Sequence, residues 1–252
     1  GAWVAVHNYT LNHPLDYPYD PVNQVGAPVS QEEYDRLGSW AWDGNLRTQI
    51  NEWRATDKNP GATLEQDASC FLSVHLLDQT IVKLLGHKVP IISTEGGPVT
   101  GWRDDRRYPR VDPNTQAQWA VAINDFLQGG REINGLSCPD NYFAMCHWLI
   151  ANYKLGFIAP GWEGQSWYTN WWDGDFNLSG EMPVVAAVKA MPNLPVGEAK
   201  LAVIAGIVLR ADDESPLPGV TVTLRSGEQG IATTITADNG AFRFDRLPPG
   251  VY

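Results

Sequence analysis

The chain has 252 residues with a formal net charge of −11, and 43% of its residues are hydrophobic and 19% charged. This length can bury a sizeable core, which excludes a disulfide-held mini-protein, and no apolar run approaches the roughly 18 residues of a membrane-spanning helix. The acidity argues against nucleic acid and anionic membranes as partners, because phosphate recognition needs clustered basic side chains. The composition therefore predicts a soluble globular protein.

Tryptophan and charge are distributed unevenly along the chain, which indicates two regions. All 11 tryptophans lie between Trp3 and Trp172. Residues 199–252 hold five basic and six acidic residues, a net charge of −1, so residues 1–198 carry −10 of the total of −11. The sequence therefore predicts a domain over residues 1–191, a linker over 192–198 and a second domain over 199–252.

Three short segments of the first domain are predicted to be buried strands, at residues 3–9, 89–94 and 142–149. Their hydrophobicity is almost continuous, as in parallel strands that are covered on both faces. Helices are predicted over residues 63–85, from Asp112-Pro113 to the Gly129-Gly130 pair, and over residues 182–191. This alternation predicts an α/β fold with a parallel sheet and right-handed crossovers.

Long connections follow the C-terminal ends of these strands, at residues 10–62, 96–111 and 150–180. In a (β/α)₈ barrel such connections form the active-site face. We expect their aromatic residues to line a groove for flat ligands such as sugar rings, although packing of the loop is the alternative for any one of them. These residues are Tyr17, Tyr19, Tyr34, Trp40, Trp42, Trp53, Trp102, Tyr108, Trp162, Trp167, Tyr168, Trp171 and Trp172.

Four arginines form a local basic cluster, which two aspartates interrupt. They are Arg103, Arg106, Arg107 and Arg110, with Asp104 and Asp105 between them. We expect this segment to be a solvated loop.

The three cysteines, Cys70, Cys138 and Cys146, lack the spacing of a metal site, and no metal or cofactor is predicted. We expect buried thiols, with a bridge between Cys138 and Cys146 as the alternative in an exported protein. No signal peptide precedes the first strand, so the chain is expected to begin within a fold.

From residue 199 onward, short β-type runs alternate with turns. The runs are at residues 201–209, 220–224, 231–236 and 241–244, and the turns contain Pro218-Gly219, Gly227, Asn239-Gly240 and Pro248-Pro249-Gly250. This pattern predicts a small β-sandwich. The turns and the strands beside them resemble the carboxypeptidase regulatory-like (transthyretin-like) domain, whose members continue into a further strand after the position of Tyr252. We expect a truncated domain that serves as a spacer or adhesion module.

Glu95 is the strongest catalytic candidate. A buried strand runs into it, and Gly96-Gly97-Pro98 then turns sharply, which places the carboxylate at the C-terminal end of a strand. His7 and Tyr9 lie two residues apart on the first strand and therefore share a face. We expect the Tyr9 hydroxyl to donate to the Glu95 carboxylate, His7 to contact substrate, and Trp148 to form the floor of a sugar subsite.

The motifs His7-Asn8-Tyr9, Ser93-Thr94-Glu95-Gly96 and Trp148, on successive strands, resemble strands six to eight of the clan A glycoside hydrolases, especially family 5. The resemblance covers residues 1–191. It implies the C-terminal part of a (β/α)₈ (TIM) barrel and a retaining mechanism with Glu95 as the nucleophile. It also implies a hydrogen-bonding role for Tyr9, a substrate contact for His7 and a platform role for Trp148. Trp102, Trp162 and Glu163 are candidate substrate contacts in the loops, with a loop anchor as the equal alternative for Glu163.

The acid/base residue of that family is missing from the expected place. It follows an Asn at the end of strand four, which would precede Gly1 together with strands one to five. Asn51-Glu52 is an Asn-Glu dipeptide of this kind, but no apolar strand precedes it, so Glu52 is a poor candidate for the acid/base residue. We therefore expect this chain alone to be inactive and to need the N-terminal part of the same barrel as its partner. The parent is expected to be extracellular or at the cell surface and to cleave a β-linked oligo- or polysaccharide.

Other functions have weaker support. A non-catalytic carbohydrate-binding or scaffold protein built on a barrel-derived domain is the main alternative. A zinc carboxypeptidase would need a His-x-x-Glu pair, and His13-Pro14-Leu15-Asp16 is a turn because of its proline. A serine hydrolase would need the G-x-S-x-G motif, which Gly164-Gln165-Ser166 begins without its second glycine.

Overall fold

The computed structural model describes residues 3–153, 166–172, 180–192, 202–227 and 229–247. The chain divides into two compact units, Gly1–Met191 and Pro192–Tyr252. No helix within the described ranges is long and apolar enough to cross a membrane.

The first unit is mixed α/β. Its elements in chain order are β1 (Val4–Leu11), α1 (Pro21–Val25), α2 (Gln31–Ala41), α3 (Arg47–Thr56), α4 (Ser73–Leu85), β2 (Ile91–Pro98), α5 (Pro113–Leu127), β3 (Tyr142–His147), β4 (Ala151–Tyr153), β5 (Tyr168–Trp172) and α6 (Pro183–Lys189).

Strands β1, β2 and β3 form a parallel sheet in that order. The connection from β1 to β2 contains α4, and the connection from β2 to β3 contains α5. The register places His7 beside Glu95 and Gly96 beside His147. The predicted alternation of strand and helix is therefore present, and the residues at the C-terminal ends of three neighbouring strands lie at one edge of the sheet.

One face of this sheet is covered by a helix and the other is open. Val74 and Ile81 of α4 pack with Ile91 of β2 and Tyr142 of β3 in one buried cluster. On the other face, four residues of β1 and β3 are exposed to solvent in the described part of the chain: Ala5, His7, Phe143 and Cys146. The sheet thus has one core-facing side and one side that other groups could cover.

Capping residues, proline and glycine set the ends of α4 and α5. The Asp112 carboxylate caps α5 by accepting a hydrogen bond from the Thr115 amide at 2.7 Å, and Pro113 occupies the first turn. Gly86 ends α4 in the left-handed region, with φ of 73°. The second and third predicted helices are confirmed, the third as Pro183–Lys189.

Two predicted boundaries are wrong. The first helix begins at Ser73 rather than at residue 63, because the Asp67 carboxylate and the Ser69 carbonyl bind side chains of the β1–α1 loop and hold residues 63–72 in turns. The third strand ends at His147 instead of residue 149, and the Trp148–Leu149 peptide is cis.

The connection over residues 10–62, predicted as a loop, contains three helices, α1 to α3. Several of its aromatic side chains pack inward instead of lining a groove: Tyr17, Trp42 and, from the next connection, Tyr108 are buried. Trp42 packs with Val29 and Ile50 in a small core of its own. Tyr17 and Tyr108 pack in a second cluster, with Phe71 and Phe126 among its members. The prediction that these three residues face a ligand is therefore wrong, because their side chains are needed in the two buried clusters.

The cysteines differ from one another. Cys70 is buried as predicted, and burial raises the pKa of its thiol to about 12. Cys138 is half-buried and Cys146 is exposed, so the expectation of a buried thiol is wrong for Cys146. All three are free, and the alternative of a bridge between Cys138 and Cys146 is not realised.

The second unit consists of two antiparallel pairs that share a core. Its strands are β6 (Ala202–Ile207), β7 (Thr221–Ser226), β8 (Gln229–Ile235) and β9 (Ala241–Leu247). β6 pairs with β9, and β7 pairs with β8. Leu224 from one pair packs with Phe244 and Leu247 from the other. This sandwich-like arrangement agrees with the four predicted β-type runs, whose ends shift by a few residues.

We expect Leu224→Ala to destabilise the second unit by about 2 kcal/mol, because it removes a buried side chain that joins the two strand pairs. Amide hydrogen exchange of β6 to β9 in the whole chain measures this as faster exchange. Ile235→Ala is the matched control, since Ile235 is 64% exposed, and we expect it to change stability by less than about 0.5 kcal/mol. Equal exchange in both variants would contradict the shared core.

Candidate active site

Glu95 lies late in β2, next to two glycines that pack closely against the neighbouring strands. An added Cβ on Gly96 would lie 2.6 Å from the Asn8 carbonyl oxygen, and one on Gly97 would lie 2.8 Å from Nδ1 of His147. Gly97 also has a φ of 105°, which favours glycine. The two glycines after Glu95 therefore let the three strands converge beside the carboxylate.

Two side chains of β1 converge on one oxygen of the Glu95 carboxylate. The Tyr9 hydroxyl donates to Oε2 at 2.9 Å, and Nδ1 of His7 lies 3.4 Å from the same atom. Within the described residues, no hydrogen bond reaches the other oxygen, Oε1. The side chain of Glu95 is 31% exposed. The carboxylate is thus held from one side and open on the other.

Trp148 follows β3 and is joined to the same edge through the main chain. Its amide donates to the Gly96 carbonyl at 2.9 Å, and its side chain reaches solvent. Its neighbour His147 is half-buried, but both of its ring nitrogens are buried, and neither has a hydrogen-bond partner within the described residues. Burial lowers the pKa of His147 to about 4, so its ring is neutral at pH 7.

The remaining candidates are not drawn into this group. Trp102 is 45% exposed in the turn after β2 and makes no hydrogen bond or ring contact with Glu95 in the described part of the chain. Trp162 and Glu163 lie outside the described residues. Glu52 is exposed on α3, a helix, which agrees with its rejection as the family's strand-end acid.

Two of the four arginines of the basic cluster depart from the prediction of a solvated loop, whereas the Arg106 side chain is 56% exposed, as predicted. Arg107 is buried and pairs with Asp105 at 2.6 Å between Nη2 and Oδ2. It also donates to the Asn23 side chain and the Asp57 carbonyl, each at 2.8 Å. Arg103 is likewise buried, with 3% of its side chain exposed. Buried guanidinium groups need such partners, and residues of the helical segment supply them.

His13, just after β1, completes this polar network. Its Nε2 lies 3.3 Å from Oδ2 of Asp105 and its Nδ1 lies 2.8 Å from the Ser69 carbonyl, while its ring stacks on Tyr17 at 3.8 Å. Burial pushes the pKa of Asp105 upward, but hydrogen bonds from His13 and Arg107 outweigh burial and hold it below its usual range.

An open cleft of about 550 Å³ lies beside the network, with His13, Asp67 and Asp105 among its lining residues. The sequence contains these residues but gives no sign that they meet, since His13 and Asp105 are 92 positions apart. The network has its polar groups satisfied by one another, which is the signature of a structural connection between the two strand-end loops.

Comparison with known proteins identifies one part of the chain. Residues 203–252 match the model of the carboxypeptidase regulatory-like domain, which confirms the predicted identity of the C-terminal region. No curated protein and no solved structure gives a match to the chain. The resemblance of residues 1–191 to glycoside hydrolases stays a prediction that rests on the residues described above.

Proposed function

We propose that this chain is part of a retaining glycoside hydrolase that acts on a β-linked glycan, with Glu95 as the nucleophile. The observation that carries the proposal is the convergence of Tyr9 and His7 on Oε2 of Glu95 at the C-terminal edge of a parallel sheet. A nucleophilic carboxylate must be ionised and held still, and the Tyr9 hydroxyl supports both. The open Oε1 atom is the one that would attack.

The chemistry requires two steps at the anomeric carbon. Oε1 of Glu95 forms a bond to that carbon while the bond to the leaving oxygen breaks, and a second carboxyl group gives its proton to the leaving oxygen. Water then attacks the same carbon, the second carboxylate takes a proton from that water, and the bond to Glu95 breaks. Because the carbon inverts twice, the product keeps the β configuration.

The second carboxyl group is proposed to belong to residues that precede Gly1 in the parent protein, as part of a complete (β/α)₈ barrel. The open face of the sheet supports this, because parallel sheets are normally covered on both faces and here Phe143 is 55% exposed. We also propose that the parent protein is located outside the cell, where it would encounter glycan polymers. The 252-residue chain alone is expected to have no glycosidase activity.

The experiment is to express the chain with the residues that precede it in its gene and to offer aryl β-glycosides. We expect hydrolysis, with a first product that is the β anomer by ¹H NMR. An α product, or an upstream sequence without Asn-Glu after an apolar strand, would overturn the proposal. Glycan binding without turnover by the extended protein would also overturn it and would favour the non-catalytic carbohydrate-binding alternative.

Replacing Tyr9 by Phe tests the hydrogen bond to Glu95. A hydrogen bond to a charged group contributes about 1.5–3 kcal/mol, so we expect kcat of the extended protein to fall roughly 10- to 150-fold. Tyr34→Phe is the matched control, because the Tyr34 hydroxyl donates to the Asn45 carbonyl in the α2–α3 segment and should leave kcat unchanged. An equal effect of both substitutions would argue that Tyr9 acts only through folding.

A further inference from the structure

A cavity of about 380 Å³ lies between the connection from β1 to α4 and the segment that follows β2. This volume falls in the range of about 300–1,000 Å³ that is typical of small-molecule sites. Its lining includes Arg54 of α3 and the carboxyl groups of Asp16, Asp20 and Glu33. Glu95 is not among the lining residues that the structure describes, so this cavity is separate from the candidate active site.

Arg54 brings a buried positive charge to this cavity without an ion-pair partner. The residue is 4% exposed, its Nε donates to the Arg107 carbonyl at 2.8 Å, and its Nη1 donates to the Ala27 carbonyl at 3.1 Å. Its guanidinium also lies over the ring of Trp42, 5.7 Å from the centroid. Among the described residues, Nη2 makes no hydrogen bond and no carboxylate forms an ion pair with the guanidinium. Nη2 is therefore the donor that an anionic group in the cavity can use.

Glu33, in the first turn of α2, is a half-buried carboxylate that lines the same cavity. Burial lowers the pKa of Arg54, and among the neighbouring charges Glu33 opposes this shift most strongly. The two side chains therefore interact at a distance, although no ion pair or hydrogen bond joins them in the part of the chain that the structure describes. A molecule with charges of both signs could connect them.

Asp16 is a second carboxyl group of the lining that lacks a donor. It is half-buried, and within the described ranges it accepts no hydrogen bond from another residue. Burial raises its pKa, and so does the neighbouring Asp20 carboxylate. Asp20 itself is occupied, because its Oδ1 accepts from two amides of α1 and from the Tyr108 hydroxyl at 2.9–3.1 Å. The charged form of Asp16 has no such support until a cation enters the cavity.

The charges of the lining indicate the class of ligand. A simple anion would bind Arg54 but would be repelled by the carboxyl groups, and a small cation would be repelled by Arg54. Arg110 also lines the cavity, but Asp43 already neutralises it. One guanidinium with an unused donor and two carboxyl groups without donors match a molecule that has one anionic and two cationic groups.

We propose that this cavity binds a free α-amino acid with a cationic side chain. The ligand's carboxylate accepts from Nη2 of Arg54, its α-ammonium donates to Glu33, and its side-chain cation donates to Asp16. Val111 and Trp119 line the same cavity and contact the methylene groups of the ligand. The site acts in binding alone, and it goes beyond the proposed function without depending on it.

The test is isothermal titration of the 252-residue chain with L-lysine at pH 7 and low ionic strength. We expect a Kd of about 1 mM or below. L-Norleucine lacks the side-chain ammonium, Nα-acetyl-L-lysine lacks the α-ammonium, and L-lysinamide lacks the carboxylate. Each should bind about tenfold more weakly than lysine or worse, because each loses one charge-assisted hydrogen bond.

Variants assign each group of the ligand to its partner. We expect Arg54→Lys, Glu33→Gln and Asp16→Asn each to weaken lysine binding about tenfold or more. Asp16→Asn should leave the affinity for norleucine unchanged, since norleucine has no cation for this residue, whereas Glu33→Gln should weaken both ligands. The last two variants change half-buried side chains, so they test the site even if Arg54→Lys does not fold. Glu32→Gln is the matched control, because Glu32 is the exposed neighbour of Glu33 on α2.

Four results would overturn the proposal: no binding of lysine, equal affinity for lysine and norleucine, undiminished lysine binding by Asp16→Asn, or equal affinity for lysine and Nα-acetyl-lysine. The last would indicate the C-terminus of a peptide in place of a free amino acid. The nucleophile assignment is tested separately, since Glu95→Gln should abolish turnover by the extended protein and leave lysine binding unchanged.

Discussion

Replacing Glu95 by Gln is expected to lower kcat of the extended protein by about 10⁴- to 10⁶-fold, the range seen when one member of a catalytic unit is removed. An amide is isosteric with the carboxylate and still accepts the Tyr9 hydrogen bond, so the architecture of the site survives. It is a very poor nucleophile, so the covalent intermediate would not form at a useful rate.

The matched control is Glu52→Gln. Glu52 is also a glutamate after an Asn, but it is exposed on α3, and its side chain has no contact with the strand-end group among the described residues. We expect its kcat to equal that of the wild type. A loss confined to Glu52→Gln, with full activity in Glu95→Gln, would reverse the assignment of the two residues.

The second large effect is on stability. Arg107→Ala is expected to cost about 3–5 kcal/mol of unfolding free energy, because it leaves the Asp105 carboxylate, whose side chain is only 17% exposed, without its main partner. It also removes the donors to the Asn23 side chain and the Asp57 carbonyl, so the helical segment loses two of its hydrogen bonds to the loop after β2. Urea unfolding at pH 7, where both groups are charged, measures the change.

Lys88→Ala provides the control for this effect. Lys88 pairs with Asp140 at 2.5 Å, but the two side chains are 46% and 79% exposed, and such pairs contribute about 0–1 kcal/mol. We therefore expect a small change in the unfolding midpoint. If both substitutions lower the free energy of unfolding by the same amount, the Asp105–Arg107 pair would be a solvated contact, as its sequence alone suggests.

The parts of the fold that depend on local patterns were predictable. Short apolar runs identify β1 to β3, and a capping residue with proline identifies α5. The same signal, Asp20-Pro21 followed by Gly26, marks α1, whose five residues are too few to give a periodic pattern. Helix α3 buries the charged residue Arg54, so its inward face could not be predicted from a stripe of apolar residues.

The contacts of the candidate site likewise divide into those that the sequence predicts and those that only the structure shows. The contact between Tyr9 and Glu95 follows from the two-residue period of a strand and the order of the strands, so the sequence suffices to propose it. The His13–Asp105–Arg107 network depends on how two strand-end loops fold against each other, and charged residues in loops look alike whether they end buried or exposed. Only the three-dimensional arrangement distinguishes these two cases.

The most direct measurement is covalent trapping of the extended protein with a 2-deoxy-2-fluoro-β-glycoside that carries a good leaving group. The fluorine slows both steps while the leaving group speeds the first, so the glycosyl-enzyme accumulates and peptide mass spectrometry identifies the bonded residue. We expect the label on Glu95, with no label in the Glu95→Gln variant. A label on any other carboxylate, or none in a protein that binds the reagent, would contradict the assignment of Glu95 as the nucleophile.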